Sequence, residues 1–166
     1  DYTPGAMLSA QPECYSSRRP NSASIGTRAY QMALYVVFES NLQMMADNPS
    51  LYNMYPDCRD YIAACPVNWD ETRVLAAEFG EYTVVARRKG DKWYIGGITN
   101  ETPRDLHLKL DFLTEGKTYQ TVSFVDAVNS PVQAMDYRKQ TSQLSKGGEL
   151  NIRMVRNGGF AAVLEP

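Results

Sequence analysis

The sequence predicts an α+β chain, a mainly helical first part followed by an all-β antiparallel sandwich, and two observations carry this. Apolar residues follow the helical period over roughly the first 66 positions, then alternate with polar ones from Trp69 onward. The change falls near Pro66 and divides the chain into 1–66 and 67–166. Length bounds the answer further, since 166 residues are too few for a complete eight-fold βα barrel, which takes about 250.

The elements follow in order. Residues 1–25, rich in Ser, Pro, Asn and Arg, read as a loop. Thr27 or Ser24 caps a helix that is predicted to run for about twenty residues, until Asn48-Pro49 stops it. Gln31 is its only polar amide between positions 29 and 38, so the helix is apolar nearly all round and has to be covered on more than one side. A shorter helix over 57–64 opens with Pro56 at its first position and closes before Pro66.

Beyond Trp69, segments 81–88 and 93–99 flank the short turn Lys89-Gly90-Asp91-Lys92 and read as a hairpin. Segment 106–112 places apolar residues at every second position, with one face in the core and the other in water. Strands are expected at 118–126, 137–144, 149–154 and 160–164, the last two joined as a hairpin around Asn157-Gly158. About seven short strands over about a hundred residues make an antiparallel β-sandwich.

Composition excludes several function classes. Seventeen basic against nineteen acidic side chains leave a formal charge of −2, with no basic footprint for nucleic acid or anionic lipid. No apolar window reaches the length of a membrane span, and residues 1–10 lack the basic and apolar regions of a signal peptide. The chain is therefore expected to be soluble, with any export signal outside it. Cys14, Cys58 and Cys65 form no CxxC or Cys/His cluster, and if Cys58 and Cys65 share a helix they lie about 10 Å apart, so free, mostly buried thiols are expected.

Candidate chemistry is sparse. His107, the only histidine, falls on the polar face of its strand and reads as solvated. No nucleophile elbow, P-loop, dinucleotide fingerprint or HExxH helix occurs. Gly96-Gly97 inside a strand signals a bulge or a close backbone approach. Asp70 and Glu71 are adjacent on a strand, point to opposite faces and cannot flank one bond, so they read as solvated or paired groups at the sheet edge. Glu39 follows the most apolar part of the long helix, where it needs a partner such as Arg28 or Arg73. Trp69, Trp93, Tyr82 and Tyr94 could form a sugar-stacking platform, but Trp93 and Tyr94 fall on opposite faces, which favours core or interface packing.

Several motifs recur together: Asp1-Tyr2-Thr3-Pro4-Gly5, Gly26-Thr27-Arg28-Ala29-Tyr30-Gln31, Leu42-Gln43-Met44-Met45-Ala46-Asp47-Asn48-Pro49, Trp69-Asp70-Glu71-Thr72, Asp111-Phe112-Leu113 and Gly158-Gly159-Phe160. This succession, over essentially the whole chain, resembles the C-terminal portion of glycoside hydrolase family 97, the retaining and inverting α-glycosidases typical of Bacteroidetes polysaccharide-utilisation systems. The resemblance implies a parent with an N-terminal β-sandwich, a central (β/α)8 barrel and a C-terminal β-domain. It puts residues 1–5 at the end of the eighth barrel strand, makes the long helix the last barrel helix, and makes 69–166 the C-terminal sandwich.

Hydrolysis of α-glucosides or α-galactosides is the implied activity, with a periplasmic or exported location. It is carried by glutamates and a bound calcium that belong to upstream barrel segments and map onto no position here. The chain alone is then expected to be inert, with the remainder of the barrel as its partner. Asp1 and Tyr2 are the candidates for lining the sugar pocket. The alternative is a stand-alone carbohydrate-binding or interaction module with a helical extension, which would leave no large apolar helix face uncovered.

Overall fold

The computed structural model describes residues 2–16 and 23–166. Along the chain the elements are β1 (Ser9–Ala10), a 3-10 turn (Pro12–Cys14), β2 (Ser24–Ile25), α1 (Arg28–Val37), α2 (Pro49–Met54), α3 (Pro56–Ala64), β3 (Glu71–Glu78), β4 (Tyr82–Lys89), β5 (Lys92–Thr99), β6 (Arg104–Lys109), β7 (Thr118–Asp126), β8 (Tyr137–Ser145), β9 (Glu149–Met154) and β10 (Gly159–Glu165). No helix among the described residues is long and apolar enough to cross a membrane.

Six antiparallel strands form the main sheet in the order β3-β4-β5-β10-β7-β8, and β6 pairs with β9 in a second, two-stranded sheet. Strand alternation divides the core in two. Val85, Tyr94, Phe124 and Ala161 face Met32 and Val36 of α1 and Tyr61 and Ile62 of α3. Val84, Trp93, Ile95 and Phe160 face Leu108, Ile152 and Met154 of the small sheet. The β part is thus a sandwich of unequal sheets, with helices covering the outer face of the larger one. Trp93 and Tyr94 do point to opposite faces, and both are buried.

The β4–β5 hairpin forms as expected, with Lys89 opposite Lys92. In β6 the alternation holds, Leu108 and Leu110 buried and His107 exposed beside Asn151. Strand β3 escapes the sequence pattern because it is an edge strand with little buried surface, interrupted by a bulge between Val74 and Ala76. There Glu71 pairs with Arg73 and Arg88, and Asp70 accepts from the Gly90 amide at 2.7 Å and from Lys89.

Asn157 does take a left-handed turn, φ 50°, but the segments it joins are not a hairpin. β9 pairs with β6, whereas β10 lies between β5 and β7. The backbone groups at this crossover are occupied elsewhere: Asn157 N donates to Asn100 O at 2.7 Å, Thr27 N to Asn157 O at 2.9 Å, and Thr99 N to Gly158 O at 3.1 Å.

Helix α1 begins where expected, with the Thr27 hydroxyl accepting from Tyr30 N at 3.1 Å. It ends about ten residues early, at Val37, with Phe38 already extended. The reason is long-range: Met44 N donates to Tyr2 O and Ala46 N to Pro4 O, both at 3.1 Å, so these amides are not free for a helical ladder. Asn48-Pro49 starts a helix rather than stopping one, because Asn48 Oδ1 caps Leu51 N and Pro49 occupies the first position of α2. Helix α3 matches the expected short helix.

Eight of the ten α1 residues are buried, which explains its apolar circumference. Gly96 marks a close approach, as its type suggested: a Cβ there would lie 2.8 Å from Ala33 O. Glu39, beyond the shortened helix, is exposed, and its nearest cation is Arg87 at 3.9 Å rather than Arg28 or Arg73. Arg28 is instead buried, donating to Met7 O at 2.6 Å beneath the Tyr55 ring. All three cysteines are free; Cys14 is exposed, while burial pushes the thiols of Cys58 and Cys65 up to about 11 and about 12.

Candidate functional site

Residues 2–7 lie alongside α1 and run in the opposite direction. The Tyr2 ring meets Phe38 at the helix C-terminus, centroids 4.8 Å apart and nearly perpendicular. Pro4 O accepts from Tyr35 Oη at 3.1 Å, and Gln31 Oε1 accepts from Gly5 N at 3.0 Å and Ala6 N at 3.3 Å. Met7 O reaches Arg28 in the first helical turn. Gly5 is required here: its φ is 84°, and a Cβ would sit 2.5 Å from Tyr35 Oη.

From the other side, Tyr52 Oη donates to Gly5 O at 2.9 Å, and the Asp47 carboxylate accepts from the Met7 and Leu8 amides. Every polar side chain in this cradle therefore serves the backbone of 4–8. Gln31 was visible in the sequence as the lone amide of an apolar helix, but its partners, more than twenty residues away, were not.

A cleft of ≈ 520 Å³ opens beside this segment and its helix, lined by Tyr2, Pro4, Tyr15, Ile25, Leu34 and Phe38 among others. It offers aromatic and aliphatic surface with Thr3, Ser24 and Gln31 as polar groups, and no carboxylate among the described residues. Burial pushes the Tyr2 phenol up to about 12, with Cys65 adding to the rise and Arg87 opposing it. Its hydroxyl points to Phe38 O at 3.5 Å. Asp1 lies outside the described residues. Among the described residues no three of His, Cys, Asp and Glu gather as a metal site.

Comparison with known proteins gives this geometry its context. Residues 68–165 match the family model described as glycosyl-hydrolase 97 C-terminal, oligomerisation. A retaining alpha-galactosidase of Bacteroides thetaiotaomicron is 44% identical over 161 residues, which is 97% of this chain and 24% of that protein. A probable retaining alpha-galactosidase of Streptomyces bingchenggensis is 32% identical, over 98% of this chain and 23% of its own length. This chain thus spans about a quarter of the curated relatives it matches. Among solved structures, a glycoside hydrolase family 97 enzyme of Pseudoalteromonas sp. strain K8 in complex with acarbose superposes with a TM-score of 0.80 at 30% identity, covering 89% of this chain and 23% of its own. The matched stretch takes in the main sheet, its small partner sheet and well over half of the 166 residues, and the chain belongs to the glycosyl-hydrolase 97 C-terminal family.

Proposed function

We propose that this chain is the C-terminal part of a family 97 α-glycoside hydrolase, in which 1–66 supply the last strand and helix of the (β/α)8 barrel and 67–166 form a β-sandwich that buttresses it. The observation that carries this reading is the antiparallel seating of residues 2–7 on α1, the arrangement of one strand–helix unit of such a barrel. Exposed Leu42, Met44, Met45 and Met54 on the same helical part favour a barrel neighbour over a stand-alone module.

The direction of that segment also refines the sugar-site proposal for Asp1 and Tyr2. Barrel active sites form where strands end and helices begin. Met7 is at that end, beside Arg28, whereas Tyr2 is beside Phe38 at the other. On this reading the chain after Met7 approaches the sugar site, and Tyr2 seats the strand on its helix.

Glycoside hydrolysis takes two carboxyl groups about 5 to 9.5 Å apart across the bond. These and the calcium ligands are assigned to the preceding barrel segments, and the α-galactosidase names of the two curated relatives favour an α-linked galactoside as substrate. Export to the periplasm accompanies that role in the family it resembles.

The 166-residue chain, supplied with calcium, is expected to release no p-nitrophenol from p-nitrophenyl α-galactoside, while the same chain preceded by its barrel does. Turnover by the chain alone would overturn the assignment of the catalytic pair.

A further inference from the structure

Of the four aromatic residues that could stack on a sugar, Trp93 and Tyr94 are core, but Trp69 is not. It is half-buried, rests edge-on against Tyr94 at 5.2 Å, and lines an open cleft of ≈ 340 Å³ together with Glu39, Asn41, Asn68 and Thr72. Beneath it lies Arg87, 4% exposed, its guanidinium carbon 5.9 Å from the indole centroid. Arg87 uses one nitrogen on Val37 O at 3.3 Å, while Nε and Nη1 are buried without a partner among the described residues. Among the described residues its nearest carboxylate is Glu39, at 3.9 Å and 84% exposed.

Three of the other polar groups around the cleft are engaged, while the Thr72 hydroxyl, like Glu39 and Asn41, keeps bonding capacity. Asn68 and Asp70 hold Lys89, and Glu71 holds Arg73 and Arg88. Glu39 and the Asn41 amide remain with bonding capacity, Asn41 having no partner among the described residues. Two of the three lining carboxylates, Asp70 and Glu71, are paired with Lys89, Arg73 and Arg88, which selects against a strongly charged ligand. An indole beside a carboxylate and an amide suits a ring with an apolar face and hydroxyl edges.

We propose that this cleft binds one ring of a neutral carbohydrate, stacked on Trp69 above the buried Arg87, with its hydroxyls hydrogen-bonded to Glu39 and Asn41. The site lies wholly within this chain, so its test is independent of the activity proposed above. Proton–nitrogen correlation spectra of the chain, titrated with raffinose and with maltotriose, provide it. The Trp69 indole and Asn41 side-chain signals are expected to move saturably with at least one sugar while the Trp93 indole stays still, and W69A and N41A are each expected to weaken binding by about tenfold or more. Asn41 is exposed and has no partner among the described residues, so N41A is expected to leave the fold intact. A well-dispersed spectrum in which neither sugar moves the Trp69 signal, or unchanged affinity in N41A, would overturn the proposal.

Discussion

Asp126 stands where three elements meet. Its Oδ2 accepts from Val155 N at 3.0 Å and Gly159 N at 3.1 Å, tying the end of β7 to the β9–β10 crossover beside the α1 cap. Burial pushes its carboxyl up to about 6, outweighing these amides and the Thr27 hydroxyl, all of which favour the anion. The folded value lies above the unfolded one of about 3.9, so the native state holds the proton more tightly. The resulting stabilisation is complete below about pH 4 and is lost as pH rises through about 6. Urea unfolding is expected to find the protein about 1 kcal/mol more stable at pH 5 than at pH 7.5, relative to the same difference in D126N. Parallel pH dependence in the two proteins would contradict this. Nothing in the sequence singled out Asp126, because the segments that hold it are distant in the chain, Val155 and Gly159 lying 29 and 33 residues away.

The seating of α1 on the sheet depends on positions where no side chain intervenes. At Gly159 a Cβ would lie 2.6 Å from Tyr30 N, and at Gly96 2.8 Å from Ala33 O, so in both cases helix backbone is what a side chain would meet. Gly97 points to the opposite face, where a Cβ would meet side chains rather than backbone, a Val84 methyl at 3.2 Å and the Met154 sulfur at 3.4 Å. G159A is therefore expected to cost about 3 kcal/mol and G97A about 1 kcal/mol or less, measured from denaturation midpoints. Equal effects would show that the helix does not bear on the sheet at Gly159. The glycine pair in β5 was legible in the sequence as a close approach. That α1 was the approaching element was not, since helix and strand are separated by about sixty residues of chain.

At the scale of the whole molecule, both parts expose large apolar residues: Val74, Phe79, Val128 and Val132 are scattered over the β part, and a denser group lies on the helical part. Phe38, Leu42, Met44, Met45 and Met54 are all exposed, Met54 to 66%. Single exposed apolar residues are ordinary, but a group of this size in one short stretch is what the proposed barrel neighbour would cover. The chain alone is expected to bind the dye ANS strongly and to lose most of that binding when its preceding barrel segment is present. Equal dye binding in both forms would remove the argument for a barrel neighbour. The direction of residues 2–7 belongs to this scale too, because only the packed strand–helix unit distinguishes its Tyr2 end from its Met7 end.

The sequence by itself determined the order of the two parts, the Thr27 cap, the β4–β5 hairpin and which side of β6 faces the core. All of these depend on periodicity or on neighbours a few residues apart. Tertiary structure decided the end of α1, the partners of β9 and β10, the docking point at Gly159 and the half-buried position of Trp69. In each of these a backbone group or ring is satisfied by a segment far away in the chain. A backbone amide bonds equally well to a near or a distant carbonyl, and which one it takes is settled only when the surrounding surfaces are buried together.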